Sequence, residues 1–465
     1  MQFRLTLTAR QHAELRAHLF PGDSLEAAAI ALCGRATGRD RARLMVHSLH
    51  PIPYEQCKRS PTNVTWRTDT LVPLLEKAGR RGLAILTIHS HPSGYPRFSG
   101  QDDIADRELF DSVYGWFGDD LPHASGVMMP NGRMISRIVT PEGRLQDMPL
   151  VTCIGDDLQF WFAEVAVGEI PEQARRNVQA FGEGTYRTTR RLRFVVLGAS
   201  GTGSLVIENL VRSHAGSVLP VDPDRVELRN LNRIPHTTVH DANAGIAKVL
   251  RLAEAAKAIG FDIEILPIQA SLEDPVVIRE VSVGDVVFGC MDTVDGRALL
   301  NRLATFYSLP YIDIGVRLDA DGNGGIEQVC GAIHYFQPGR SSFFTRNVFS
   351  ADDVFAAAMK RSDPEEYNKR LEQKYIRGVR EDRPAVMPLN MIFAGLGVME
   401  LFARIHPYRD EPNAEYASQF FGLSQGIYHR EREAQDCPSL VRYVGRGDCV
   451  PLLDMPDFTE LPRAA

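Results

Sequence analysis

The stretch RFVVLGASGTGSLVIENLVRSHA, residues 193–215, constrains the fold more than any other part of this chain. A short apolar run reads as a buried strand. It breaks into a glycine run, Gly198, Gly201 and Gly203, and then into a helical pattern. Glycines in that context let backbone approach phosphate, and a helix N-terminus favours negative charge. Downstream, SVLPVDPD, DIEILPIQA, GDVVFGCMD and PYIDIGV alternate with helical segments such as AGIAKVLRLAEAAKAIG. Strands alternating with helices predict βαβ units and a mostly parallel sheet. Further on, PEEYNKRLEQKYIRG and LNMIFAGLGVMELFARI read as helices, and the last forty residues read as irregular.

The N-terminal part has a different pattern. AAAIALCG and ARLMVHSLHPI suit strands, DTLVPLLEKAGRRG a helix, and LAILTIHSHP a buried strand ending in a loop. DDIADRELFDSVYGW is an amphipathic helix, and HASGVMMPNGRMISRIVTPEG a hairpin turning at Asn131-Gly132. The expected organisation is a small α/β domain over 1–145, a connector over 146–190 with helix around PEQARRNVQAFG, and a larger α/β domain over 191–465 with a C-terminal extension.

The 465 residues suffice for two or three domains. A formal net charge of -7 argues against a nucleic-acid partner. The seven cysteines are scattered and form no C-x-x-C, which reads as reduced thiols and a cytoplasmic location. The N-terminal MQFRLTLTARQHAELRAHLF is charged throughout and lacks a secretory apolar core. No apolar run reaches the length of a membrane span, so no membrane partner is expected.

The stretch TIHSHPSGYPRFSGQDD, residues 87–103, carries chemistry. His89 and His91 stand at i and i+2 at a strand end, so both imidazoles point to one side. Asp102, at the following helix start, can return as a third ligand. Three ligands with an open fourth position describe a catalytic zinc site. Ser99 lies three residues before Asp102 and can donate a hydrogen bond to a developing oxyanion.

The pattern His-Ser-His-Pro, six residues, Ser-x-x-Asp resembles the JAMM signature of the JAB/MPN metalloprotease family. The resemblance implies an α/β metalloprotease domain that cleaves ubiquitin-like proteins from lysine side chains or C-terminal extensions. It also implies zinc on His89, His91 and Asp102, and a glutamate base on an early strand. Glu26, in SLEAAAIALCGR, takes that place, with Glu55 as the alternative.

The second half carries another resemblance. VDPDRVELRNLNRI is similar to the D-x-D-x-V-x-x-x-N-L-x-R segment of the ThiF/MoeB family, which includes ubiquitin-activating enzymes. GIAKV matches its phosphate-binding lysine, GCMDTVDGR its D-x-x-x-x-R segment, and RPAVMPLN its late helix start. The resemblance spans about 170–400 and implies a Rossmann-like adenylation domain using ATP and Mg²⁺. Asp222 would hold the ribose hydroxyls. Asn230, Arg233 and Lys248 would contact the phosphates, beside the run Gly198, Gly201 and Gly203, and Asp292 would hold Mg²⁺. ARRNVQAFG resembles the segment that lends an arginine to a neighbouring subunit's ATP. Arg176, or else Arg175, takes that role, and a homodimer is expected with it.

Two departures matter. Many relatives bind a structural zinc through C-x-x-C pairs after the fifth strand; here QPGRSSFFTRNVF has no cysteine. No cysteine lies between Cys330 and Cys437, where thioester-forming relatives place one. Cys437 and Cys449 read by default as structural thiols, with a thioester carrier or a partial metal site as the alternatives. Cys290 reads as core. His236 and His240 read as surface or ATP-proximal residues.

Together the two resemblances imply a fused enzyme. Its first half exposes the C-terminus of a ubiquitin-like protein ending in glycine, or removes the modifier from targets. Its second half adenylates that carboxylate, with a conjugating enzyme as a further partner. Such fusions resemble bacterial conjugation modules, some tied to anti-phage defence. Two other readings stand beside it. One is sulfur-carrier activation for cofactor or tRNA thiolation; the other is a non-enzymatic scaffold for a modifier and its conjugating partner.

Overall fold

The computed structural model describes residues 1–164, 168–320, 323, 325–373 and 386–458. Its contacts divide the chain into two units. The first comprises the N-terminal part, Phe306–Ser308 and the described residues from Tyr443 on; the second comprises Gly168–Thr305 and Leu309–Arg442.

The first unit contains β1 (Gln2–Thr8), α1 (Ala9–Leu19), β2 (Ala28–Thr37), β3 (Arg41–Pro51), β4 (Cys57–Ser60), β5 (Asn63–Trp66) and α2 (Val72–Arg81). It continues with β6 (Ala84–Ser90), α3 (Gly100–Phe117), β7 (His123–Met128), β8 (Met134–Val139), β9 (Leu145–Asp147), β10 (Leu150–Ile154) and β11 (Leu158–Phe162). Nine strands form a mixed sheet in the order β11-β10-β1-β3-β2-β6-β7-β8-β9. Side chains alternate across a strand, so β2 feeds two cores. Ala29, Ala31 and Cys33 pack with Leu5, Leu7 and Leu15 of β1 and α1. Ala28, Ile30 and Leu32 pack with Leu75, Phe110 and Val113 of α2 and α3. That is why AAIALC is apolar without alternation.

Two parts of this unit lie outside the sequence-based division. β10 and β11 fall in the stretch assigned to a connector, yet β10 pairs parallel to β1 and extends the sheet. The segment from Tyr443 on, assigned to the second domain, belongs with the first unit. It docks where β2 and β3 slip register between Leu32 and Cys33. There Gly34 N–H donates to Gly445 O, Asp448 N–H donates to Arg35 O, and His47 Nδ1 lies 2.7 Å from Val444 O. A bulge of this kind turns backbone groups outward, where a passing segment can bind them.

The second unit contains α4 (Arg175–Thr189), β12 (Arg193–Leu197), α5 (Gly201–Arg212), β13 (Ser217–Val221), α6 (Val239–Ala244), α7 (Lys248–Ala258), β14 (Glu264–Ile265) and α8 (Pro275–Ser282). It continues with β15 (Val286–Gly289), α9 (Val294–Phe306), β16 (Tyr311–Ala320), β17 (Ile326–Phe336), α10 (Ala351–Ser362), α11 (Pro364–Glu372), α12 (Met387–Ile405), β18 (Ser418–Gly422) and β19 (Ile427–Glu431). The sheet order is β14-β13-β12-β15-β16-β17-β18-β19. The first five strands are parallel and the last three antiparallel. The chain moves outward from β12 to β14, then returns to place β15 on the other side of β12. That reversal opens a crevice at the carboxyl ends of β12 and β15, the usual ligand position in such sheets. The hairpin β18–β19 reaches into the tail that the sequence leaves irregular. The expected helix over 364–378 ends at Glu372 among the described residues, and its part from 374 on lies outside them.

α12 is the one described helix long and apolar enough to cross a membrane by length and composition. Most of that apolar window is buried inside the protein. Glu400 and Arg404 on it are fully buried and paired at 2.6 Å. A buried pair of this kind needs surrounding polar partners, and Arg404 also donates to the carbonyls of Asn413 and Tyr416.

A methyl group at Gly34 would stand 2.3 Å from Gly445 O. Gly34→Ala should therefore lower unfolding free energy by about 1–3 kcal/mol, read by urea titration. Unchanged stability would show that the docked segment yields freely.

Candidate active sites

Among the described residues, one group of histidine, cysteine and carboxylate side chains converges closely enough to hold a metal: His89, His91 and Asp102. β6 delivers His89, with Ala28 of β2 opposite it on one side and Val127 of β7 on the other. His91 follows the strand, fixed by its N–H donating to Met128 O. The two Nε2 atoms lie 3.1 Å apart; Asp102 Oδ1 is 3.1 Å from His89 Nε2 and Oδ2 is 3.5 Å from His91 Nε2. His91 Nδ1 lies 2.9 Å from Tyr95 O. A carbonyl can only accept, so Nδ1 donates there and Nε2 is the ring nitrogen turned toward the centre. Two imidazoles and a carboxylate around one point fit a catalytic zinc with one position open.

The Ser-x-x-Asp spacing has a structural origin. Ser99 is the N-cap of α3: Asp102 N–H donates to Ser99 Oγ at 3.2 Å, and Ser99 N–H donates to Asp102 Oδ2 at 2.6 Å. This is a capping box in which the returning carboxylate is also the one that contacts His89 and His91. The cap uses Ser99 Oγ as an acceptor, which leaves its proton free to donate.

Glu26 sits just before β2 and is buried. Its N–H donates to Ser60 O, and Arg59 Nε donates to its carbonyl. Burial raises its carboxyl above the usual carboxylate range, against the opposing pull of His89 and His91. A carboxyl shifted toward neutral pH suits proton transfer. Glu55, the alternative base, is exposed in the turn before β4. Burial alone would raise Asp102, but hydrogen bonds from His89 and His91 prevail and hold it far below the carboxylate range. Burial works against charge on His91, yet its bond to Asp102 prevails and the imidazole is raised.

Ser90, between the two histidines, is a residue that the motif reading passed over. It is fully buried; its hydroxyl accepts from Ala27 N–H at 2.9 Å, and its own N–H donates to Ala27 O. It pins the residue after Glu26 to the strand of the histidines. Only the pairing of β2 with β6 reveals this, because the partners are 63 residues apart.

In the second unit, Gly198 follows β12 and Asp292 follows β15, at the carboxyl ends that flank the crevice. The two loops touch: a side chain at Gly198, with φ 88°, would meet Cys290 O at 2.8 Å. Gly203 lies under Gly198 O so closely that no Cβ fits. Asp222, after β13, accepts from Ala199 N–H at 2.7 Å and from Asp224 N–H at 2.9 Å. Burial raises its carboxyl, offset in part by Lys248. Lys248 Nζ lies 2.7 Å from Asp224 Oδ2 and 3.7 Å from Asp222 Oδ1. Arg233 lays its Cδ against Gly201. Asn230 is buried, and its Oδ1 accepts from Glu227 N–H. Asp292 is exposed.

Other sequence candidates stand apart. Arg176 donates to Gln179 and Arg175 pairs with Glu172, both on the exposed surface of α4. His236 Nε2 lies 3.3 Å from Glu208, and His240 lies in the first turn of α6. Cys290 is half-buried against Gly198 and Gly203, and its surroundings push its thiol up. Cys437 is buried in the second unit, where it lines a cavity of about 1530 Å³ with Phe344, Phe349 and Lys369. Cys449 falls in the first unit, with Sγ 3.2 Å from Pro451 O.

A mostly parallel sheet with a glycine run at its switch point defines a Rossmann-like α/β unit, and the same chain carries a second, separate α/β unit. The model of the ThiF family matches residues 173–439, more than half of the chain, and that of prokaryotic homologs of the JAB domain matches residues 8–135. The chain belongs to the ThiF family and carries an N-terminal JAB domain. It is 28% identical to "Ubiquitin-like modifier-activating enzyme 5" of Aedes aegypti over 34% of this chain and 40% of that one. It is 32% identical to "SAMP-activating enzyme E1" of Haloferax volcanii over 26% of this chain and 44% of that one. The chain thus spans less than half the length of these relatives. A solved structure of E. coli MccB with MccA-N7isoASN is similar at 16% identity and TM-score 0.46, over 58% of this chain and 75% of that one.

Ser90→Ala would leave the buried Ala27 N–H without its acceptor. It should lower unfolding free energy by about 1–3 kcal/mol, measured by chemical denaturation of the metal-free protein. A change within error would mean that Ala27 finds another partner.

Proposed function

We propose that this chain both processes and activates a ubiquitin-like protein ending in glycine. The first unit cleaves the peptide or isopeptide bond that follows the modifier's C-terminus, and the second adenylates the carboxylate so exposed. The observation that carries this reading is the pairing in one chain of two built sites. One is the His89–His91–Asp102 donor set with Glu26 coupled to it; the other is the glycine run, Asp222, Lys248 and Asp292 around one switch point. Relatives named for activating ubiquitin-like modifiers support the substrate class.

In the first site, zinc on His89, His91 and Asp102 would supply a Lewis acid and a water activated near neutral pH. Glu26 takes the proton of the attacking water. It then gives that proton to the leaving amine as the C–N bond breaks. Ser99 Oγ–H donates to the oxyanion that develops on the carbonyl.

In the second site, the modifier's carboxylate attacks the α-phosphorus of ATP. A new O–P bond forms, the bond to the β-phosphate breaks, and pyrophosphate leaves with its electron pair. The nucleophile is already ionised, so no base is required. The chain's task is charge compensation and in-line placement. Lys248 and Arg233 supply cations to the phosphates, Asp222 takes the ribose hydroxyls, and Asp292 would hold Mg²⁺, which would add charge compensation. Lys248 pairs with Asp224, so on meeting a phosphate it exchanges one anionic partner for another. Arg176 reaches the ATP of a second copy.

Glu26→Gln keeps shape and removes the base. Cleavage of a modifier fusion should fall about 100- to 10,000-fold with zinc content unchanged; undiminished cleavage would take Glu26 out of the mechanism. Asp292→Ala should reduce ATP–pyrophosphate exchange dependent on a glycine-terminated modifier by at least about 100-fold. Exchange at the original rate would refute the role of Asp292.

A further inference from the structure

We infer that Arg137, on β8, is a positioning residue of the metal centre. It holds the first turn of α3 against the sheet, so that Asp102 and Ser99 face His89 and His91. This rests on the peptidase reading above.

Arg137 is 3% exposed. Its Nε and Nη2 donate to Asp106 Oδ2 at 2.9 and 2.7 Å, and its Nη1 donates to Asp103 Oδ1. Its guanidinium carbon lies 3.8 Å from the centre of the Phe98 ring. Residues 98, 103 and 106 bracket the Ser99–Asp102 capping box on both sides. That box fixes the internal shape of the turn but not where the turn stands over the sheet.

The sheet register supplies the missing link. Arg137 pairs with Ser125 on β7, and Ser125 pairs with Thr87 on β6. Thr87 and His89 are two residues apart, so Arg137 lies on the sheet face that carries His89. One guanidinium therefore ties that face to three side chains of the α3 start. A single carboxylate would satisfy a buried arginine's charge, and Asp106 already does so. The contacts with Asp103 and Phe98 add orientation, and together they require a planar fork with several donors. Lysine has one point charge and cannot replace it.

The test is zinc affinity by chelator competition, with the visible spectrum of the cobalt-substituted protein. The chain should take up about one zinc. Arg137→Lys should weaken that binding about 10- to 100-fold, alter the cobalt bands, and lower kcat for cleavage with KM nearly unchanged. Asp103→Asn leaves the Arg137–Asp106 pair in place and should act in the same direction by a smaller factor. Folded variants with original zinc affinity and cobalt spectrum would overturn the inference. If Arg137→Lys fails to fold, Asp103→Asn decides alone. A wild-type chain that takes up no zinc would instead overturn the peptidase reading itself, and this inference with it.

Discussion

Both sites depend on an acid gripped by a backbone amide. Asp102 accepts from Ser99 N–H and Asp222 from Ala199 N–H. In each case a short polar side chain is held at the start of a helix or at the end of a strand, with its remaining acceptor capacity turned toward the site. Charge-assisted bonds of this type are short and directional. They let a loop present a carboxylate with little freedom to lose when a metal or a nucleotide arrives. The histidines of the first site and the glycine run of the second are placed relative to these acids.

The surrounding charges follow one rule. Burying an ion is tolerated only where partners satisfy it. Arg137 has Asp103 and Asp106, Arg404 has Glu400 and two carbonyls, and Arg297 has Asp313. Arg297 stands in the first turns of α9, five residues after Asp292. It anchors the start of that helix to β16 as Arg137 anchors α3 to β8. In both units an arginine ties a helix start to the sheet near a candidate acid, Asp102 within the first turn of α3 and Asp292 just before α9. The acid itself is left less than fully buried and able to meet a ligand.

Much of the candidate chemistry was legible because its spacing is local. His89 and His91 share a strand side at i+2, and Ser99 and Asp102 share a helix cap at i+3. The glycine run follows a strand and opens a helix, and the β-α alternation behind it is a period read directly from apolar residues. Other features have no local signature. β10 belongs to the first sheet through pairing with β1, some 145 residues earlier in the chain. The docking of Gly445 onto Gly34 depends on a register slip in a distant hairpin. Ser90 and Arg137 look like ordinary strand residues until their neighbours are known. Glu26 was identified against Glu55 by motif alone; burial and proximity to the histidines distinguish the two in the fold.

The sequence by itself determined the two family signatures, the order of the units and the residues that bear the motifs, because each is encoded by residue type at short spacing. Tertiary structure decided that Asp102 stands against the two histidines, that Asp222 reaches the loop of the glycine run, and that the segment from Tyr443 on belongs with the first unit. These are outcomes of strand pairing and burial across long stretches of chain. The free energy that selects them comes from contacts between residues far apart in sequence, and no local pattern records it.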